Sequence, residues 1–225
     1  MTTRDFIREE YDRQRNTVEL IASENFVSDA VMAAVGSRLT NKYAEGYPGR
    51  RYYGGCSAVD GLERYCQQKW QEVFDTNYHV NVQPHSGTNA NLAAYMAVLQ
   101  PGDKVLSMAL ESGGHLSHGM RLNASGKLYQ FSHYGLNKYG YINMADFRAK
   151  LWDVHPHMVV IGASAYSRQI DYEAFYDILK EYRRLTGNQC YIMVDMSHVA
   201  GLIAARLHPS PFGYADIITT TTHKT

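Results

Sequence analysis

The chain has 225 residues, with 22 Lys plus Arg against 22 Asp plus Glu, 45% hydrophobic and 20% charged residues. That length holds one large domain, or one domain with an arm, and the composition is that of an ordinary soluble globular protein. The balanced charge gives no electrostatic reason for a nucleic-acid or membrane-surface partner.

The N-terminal stretch MTTRDFIREEYDRQRN mixes charges of both signs and lacks an apolar run, so it does not read as a secretory signal. No apolar stretch is long enough to span a bilayer. Cys56, Cys66 and Cys190 are odd in number and scattered. They point to free thiols in a reduced, cytoplasmic setting rather than to disulfides.

Residues 1–25 read as a helical arm passing into an irregular segment, and Ala30, Val31, Ala34, Val35 and Leu39 then fall roughly on one helical face. The stretch KYAEGYPGRRYYGGCSAVDG follows, and its glycines and proline exclude regular structure. Its crowded aromatic and Arg side chains favour an ordered, functional loop. Helical patterns run over Leu62–Phe74, Asn89–Leu99, Met144–Trp152 and Tyr172–Arg184. Short apolar runs fit strands at Lys104–Met108, Leu128–Phe131, Met158–Ile161, Tyr191–Val194 and Ala215–Thr219. Strands alternating with helices define an α/β fold with a mostly parallel, doubly wound sheet. The expected division is an arm over residues 1–45 and a large domain over 46–225. The terminal string ADIITTTTHKT stops just beyond a strand pattern, which reads as a fragment or as one half of a split protein.

Sheets of this kind bind ligands outside the carboxyl ends of their strands, and three features fall there. Asp195 directly follows the run Tyr191–Val194. A carboxylate in that place keeps a protonated ring nitrogen charged, although a helix cap or a turn would use the same residue. Ser86, Gly87 and Thr88 precede a helix whose free N–H groups and dipole suit a phosphate, although plain capping explains them as well. Lys224 follows the last strand. A lysine in a dry site has its pKa lowered and forms Schiff bases, whereas a lone terminal lysine is usually solvated. Together, in that chain order, the three are what a pyridoxal phosphate site needs. His115 lies in a Gly-rich setting suited to stacking on an aromatic cofactor. His115 with His118, and His155 with His157, have metal-ligand spacing, but no Cys or carboxylate cluster accompanies either pair in the sequence, so no metal is expected. His155 and His157 flank Pro156 and read as a solvated turn.

The strings IASEN (21–25), TNKYAEGYPGRRYYGGC (40–56), NVQPHSG (81–87), PGD (101–103), GGHLSHG (113–119), SGKLY (125–129), SAYSRQID (164–171), VDMSHVAGL (194–202) and TTTTHKT (219–225) resemble serine hydroxymethyltransferase from Glu19 onward. The resemblance implies a fold-type I pyridoxal phosphate architecture. It further implies interconversion of serine and glycine with tetrahydrofolate as the one-carbon carrier, in a homo-oligomer, dimer or tetramer, whose sites are shared between two subunits. By position it makes Lys224 the Schiff-base lysine, Asp195 the partner of the pyridine nitrogen, and His115 the residue stacked on the ring. It assigns Ser86, Gly87 and Thr88 to the phosphate, puts Ser164 and His198 near the phenolic oxygen, and places His223 at the same end of the site. Ser23 would contact the substrate carboxylate, Glu45 would be the acid–base group, and Tyr43 and Tyr53 would supply hydroxyls, in part across the dimer interface. Leu110, Gly114 and Leu116 resemble the folate-contacting segment.

Two departures stand out. Ser57 follows GGC, where the family usually has Glu. The family also continues beyond the lysine, into a part that carries an arginine for the substrate carboxylate, so a complementing C-terminal polypeptide is expected. The alternatives are a truncated, non-catalytic module that binds cofactor or other subunits, and a different aldol-cleaving pyridoxal phosphate enzyme such as a threonine aldolase. The strings YAEGYPGRRYYGG and GGHLSHG fit the last less well.

Overall fold

A computed structural model describes residues 1–225. Helix α1 (Thr3–Asn16) and helix α2 (Asp29–Val35) lead to a short 3-10 turn, Arg38–Asn41, and neither helix buries a residue. Strands β1 (Gly46–Tyr47) and β2 (Arg50–Arg51) then form a small antiparallel hairpin. The hairpin corrects the expectation that glycine and proline keep residues 42–61 irregular. Pro48 and Gly49 supply its turn, so the same residues that break long elements build a tight reversal.

The main body alternates helix and strand. It comprises α3 (Ser57–Phe74), α4 (Gly87–Val98), β3 (Lys104–Met108), α5 (Ala124–Leu128), β4 (Gln130–Tyr134), α6 (Met144–Val154), β5 (Met158–Gly162), α7 (Tyr172–Thr186), β6 (Tyr191–Asp195), α8 (Ala200–Ala204) and β7 (Ile217–Thr219). The five long-range strands lie in the order β4-β3-β5-β6-β7. All are parallel, with Gly162 facing Asp195 and Asp195 facing Thr219 in register. The chain first builds outward from β3 to β4, then returns to add β5, β6 and β7 on the other side. That reversal between β3 and β5 is a topological switch point, where the loops leaving adjacent strands diverge and open a crevice.

Alternation along β5 explains the two faces of the core. Val159 and Ile161 pack into a cluster with Phe147, Leu151, Phe175 and Leu179 from α6 and α7. Met158 and Val160 point the other way, into a cluster with Tyr95, Leu99 and Met193. Every residue of β5 is buried, as expected for a central strand of a parallel sheet covered on both sides. α7 has the expected stop and start chemistry. Asp171 Oδ1 accepts the Ala174 N–H at 2.9 Å, and Gly187 closes the helix at a φ of 70°. Asp171→Ala is expected to cost about 1 kcal/mol, read as a lower urea midpoint at unchanged slope.

Two other differences from the sequence reading have local causes. The run at Leu128–Phe131 belongs to two elements. Asn123 Oδ1 accepts the Ser125 N–H at 3.0 Å and starts α5, which consumes Leu128, so the strand begins at Gln130. α8 is only five residues long, too short to leave a periodic trace. No helix is long and apolar enough to cross a membrane.

Candidate active site

A cleft of about 170 Å³ opens at the carboxyl edge of the sheet. Ser86, Gly87, Thr88, His115, Ser164, Asp195, His198, His223 and Lys224 all line it, together with Ala163, Ser197 and Thr221. These residues come from the start of α4 and from the loops after β3, β5, β6 and β7. A larger hollow at the end of α3, lined by Gln68, Glu72, Asp75, Tyr78 and Phe212 among others, contains neither a lysine nor a histidine.

Asp195 is the best-held group in the cleft. Its Oδ2 accepts from Asn91 Nδ2 at 2.9 Å and from His118 Nε2 at 3.0 Å. Its Oδ1 accepts from the Ser197 backbone N–H at 3.1 Å and the Ser197 hydroxyl at 2.6 Å. Burial pushes the carboxyl up, but the hydrogen bond and charge of His118, followed by the bonds from Asn91 and Ser197, outweigh it and hold the group well below the ordinary carboxylate range. Asn91 is itself fixed. Its Oδ1 accepts from the Thr219 hydroxyl at 2.6 Å, and its second amide hydrogen reaches Ser117 Oγ at 2.8 Å.

The same network orients His115. The Ser117 backbone N–H lies 3.1 Å and the Ser117 hydroxyl 2.6 Å from His115 Nδ1. Two donors on Nδ1 leave the ring's proton on Nε2. Burial, then the neighbouring His118, lowers the pKa of this imidazole, which favours the uncharged ring. Ligand atoms of His115, His118 and Asp195 lie within 4.8 Å of one another. The carboxylate of this group is thus not the nearby Glu111 but Asp195 from β6, and its oxygens are already engaged by donors.

Lys224 Nζ lies 3.3 Å from His198 Nε2. Burial lowers the pKa of the amine, against an opposing pull from Asp195. His198 is likewise held down, by burial first and then by the charge of Lys224. At the start of α4, Ser86 Oγ accepts the Asn89 N–H at 3.2 Å, so the capping role of Ser86 is real. The cradle role is compatible with it, because Gly87 and Thr88, the first residues of α4, line the cleft, and a helix start leaves its first N–H groups without intrahelical partners. The Thr221 hydroxyl is buried without a partner, and a Cβ on Gly87 would stand 2.9 Å from Thr221 Cγ2. An orphaned hydroxyl beside a helix start, an ionised acid and a lysine fit a phosphorylated pyridine aldehyde.

Other residues singled out by sequence lie elsewhere. Leu110 and Leu116 are about half exposed and Gly114 is buried, all three on the loop that carries His115. Ser23, Tyr43, Glu45 and Tyr53 are outside the lining of the cleft, and Tyr43, Glu45 and Tyr53 are exposed. They precede α3, on segments that pack little against the sheet. Arg51, whose side chain is 5% exposed, anchors that loop. It donates to Asp60 at 2.8 Å and to Glu63 at 2.6 Å, and its third nitrogen reaches the Ala44 and Gly46 carbonyls, each at 2.7 Å. Cys56 Sγ lies 3.3 Å from the Tyr53 carbonyl and 3.8 Å from that of Tyr43. Arg51→Leu is expected to speed amide exchange across residues 44–53, with no change in the exchange of β5 and β6.

Sequence reasoning missed Asn91, Ser197, Thr219 and Thr221, and gave His118 no role. Asn91 had a usable signal. It is a polar residue one turn after Gly87, on the apolar side of α4 with Ala94 and Tyr95.

A parallel sheet that gathers a helix-end cradle, a buried acid and a lysine at its carboxyl edge has the architecture of fold-type I pyridoxal phosphate enzymes. The serine hydroxymethyltransferase family profile matches residues 2–225. The serine hydroxymethyltransferase of Lactobacillus acidophilus is 53% identical over 222 residues, which is 98% of this chain and 52% of the relative. The chain belongs to the serine hydroxymethyltransferase family, a family of transferases that use pyridoxal phosphate and tetrahydrofolate. It spans about half the length of the relative it matches.

Proposed function

We propose that this chain is the cofactor-holding part of a serine hydroxymethyltransferase, which interconverts serine and glycine with tetrahydrofolate once a polypeptide of C-terminal type completes it. The observation that carries the reading is the convergence of Lys224, Asp195, His115 and the Ser86–Thr88 turn on one cleft. Pyridoxal phosphate, when bound through Lys224, supplies an electron sink for bonds broken at the substrate's α-carbon. Ser86, Gly87, Thr88 and the Thr221 hydroxyl hold the phosphate. Asp195 keeps the proton on the ring nitrogen, because its carboxylate stays ionised among three donor side chains. His115 presents an uncharged ring to the cofactor face, and Ser164 and His198 border the phenolic side. His223 lines the same cleft, and Leu110, Gly114 and Leu116, on the loop that carries His115, contact folate. Glu45 is the acid–base group and Ser23, Tyr43 and Tyr53 contact substrate. None of the four lines the cleft of its own chain, which supports a working form in which they serve a neighbouring subunit's site in a homodimer. Residues 1–45 act as its arm and residues 46–225 as the large domain.

The experiment is direct. The chain is incubated with pyridoxal phosphate, reduced with borohydride and digested. The peptide holding Lys224 gains the mass of the reduced phosphopyridoxyl group; no gain at that peptide overturns the cofactor reading. Adding the C-terminal half of the Lactobacillus acidophilus relative is expected to produce glycine from serine only with tetrahydrofolate present. Cofactor capture without any turnover in that mixture favours a non-catalytic binding module instead.

A further inference from the structure

The segment bearing Lys224 is seated from two sides. Thr221 lies against Gly87 on one side. On the other, the Gly201 N–H donates to Thr225 Oγ1 at 2.8 Å. A Cβ at Gly201 would fall 2.6 Å from Thr225 Oγ1 and 2.8 Å from both the carbonyl carbon and the carbonyl oxygen of Thr225. The hydroxyl could rotate away from such a Cβ; relieving the clash with the carbonyl group requires the backbone of Thr225, the residue joined to Lys224, to be re-oriented. Gly201 lies inside α8, where alanine is the better helix former. Local helix stability therefore does not explain a glycine here, whereas the close approach does.

We propose that Gly201 is a positioning residue for Lys224. Its missing side chain forms the notch in which Thr225 rests, and this rest aims the Lys224 amine past His198 into the cleft. The segment after β6 thereby sets three groups at once. Ser197 holds Asp195, His198 faces Lys224, and Gly201 receives Thr225. The inference rests on the reading of Lys224 as the cofactor lysine, and the test separates the two.

Four variants of the whole chain suffice: Gly201→Ala, Thr225→Ala, Thr225→Ser and Gly61→Ala. Gly61 is the control, since it lies in α3 and a Cβ there meets nothing within 4 Å. Without cofactor, the amide at position 201 is expected to exchange faster in Thr225→Ala and at the wild-type rate in Thr225→Ser. With pyridoxal phosphate, borohydride-trapped label on Lys224 is expected to appear roughly tenfold or more slowly in Gly201→Ala, while Gly61→Ala and Thr225→Ser keep the wild-type rate. Wild-type capture by Gly201→Ala overturns the inference. If Gly201→Ala fails to fold, equal capture and equal exchange in Thr225→Ala and Thr225→Ser overturn it. If the wild-type chain itself captures no cofactor, the reading of Lys224 fails, and the exchange rates at position 201 still decide whether Thr225 is seated there.

Discussion

Lys224→Ala is expected to abolish covalent retention of pyridoxal phosphate while the chain still folds. The amine is partly buried, and burial lowers its pKa, so near neutral pH more of it is the free base than in an ordinary lysine. Removing it deletes the nucleophile but leaves the cradle of Ser86–Thr88 and the charge of Asp195. The cofactor then binds without a covalent bond, and its dissociation constant rises on the order of a hundredfold, about 2.8 kcal/mol. Equilibrium dialysis measures that loss, and reduction with borohydride should label no lysine in its place. A second readout needs no cofactor. His198 is held down by burial and then by the charge of Lys224, so its NMR titration midpoint should move up in the variant. A midpoint that stays put would show that the two side chains do not sense each other in solution.

Asp195→Asn should damage both stability and cofactor affinity. The wild-type carboxylate accepts four hydrogen bonds and donates none. An asparagine can turn its oxygen toward Ser197, but its NH₂ then meets Asn91 Nδ2 donor against donor, and His118 Nε2 can accept from it only by moving the ring proton to Nδ1, which is buried without a partner. Asn91 cannot turn over to help, because its oxygen is engaged by the Thr219 hydroxyl. Buried donors without partners cost about 1–3 kcal/mol each, so a loss of roughly 2–4 kcal/mol is expected in urea unfolding. The pH dependence has a fixed sign. The folded-state pKa of Asp195 lies below its unfolded value, so its stabilisation is present above about pH 4 and is lost as pH falls through the folded value. The gap between wild type and variant should therefore be flat from neutral pH down to about pH 5 and should narrow in stronger acid. A gap that persists unchanged at the acid end would assign the cost to packing rather than to charge.

Much of this site is legible from the chain alone, for a definite reason. Asp195, Ser86–Thr88 and Lys224 each sit at the junction of a strand or helix with a loop. Junctions can be read from hydrophobic period and turn chemistry. The partners that make those groups effective cannot. Asn91 and His118 meet Asp195 only because α4 and the loop after β3 pack over the end of β6, and nothing local records that meeting. The same limit explains the metal argument. His115 and His118 have no cluster of carboxylates in their own stretch, and the acid that meets them comes from β6. The β4 boundary departs from the apolar run because the cap at Asn123 outweighs the strand preference of the residues behind it. The loop over residues 42–61 shows the opposite case. Its order is legible from its aromatic and Arg content, but its hairpin and the Arg51 anchor are not, since nothing local shows that Asp60 and Glu63 turn back toward Arg51.

The span of the contacts around Asn91 has a kinetic meaning. Asn91 reaches Asp195 across 104 residues and Thr219 across 128, and the Tyr78 hydroxyl reaches the Ala215 carbonyl across 137. Closing such loops costs entropy before any of the contacts repays it, and folds dominated by distant pairings form slowly. The Ser86–Thr88 turn at the start of α4 comes early in the chain. The acid and the lysine join it only when β6 and β7 dock. On the proposed reading of the cleft, a nascent or partly folded chain owns half a cofactor site, and uptake of the cofactor reports the last step of folding.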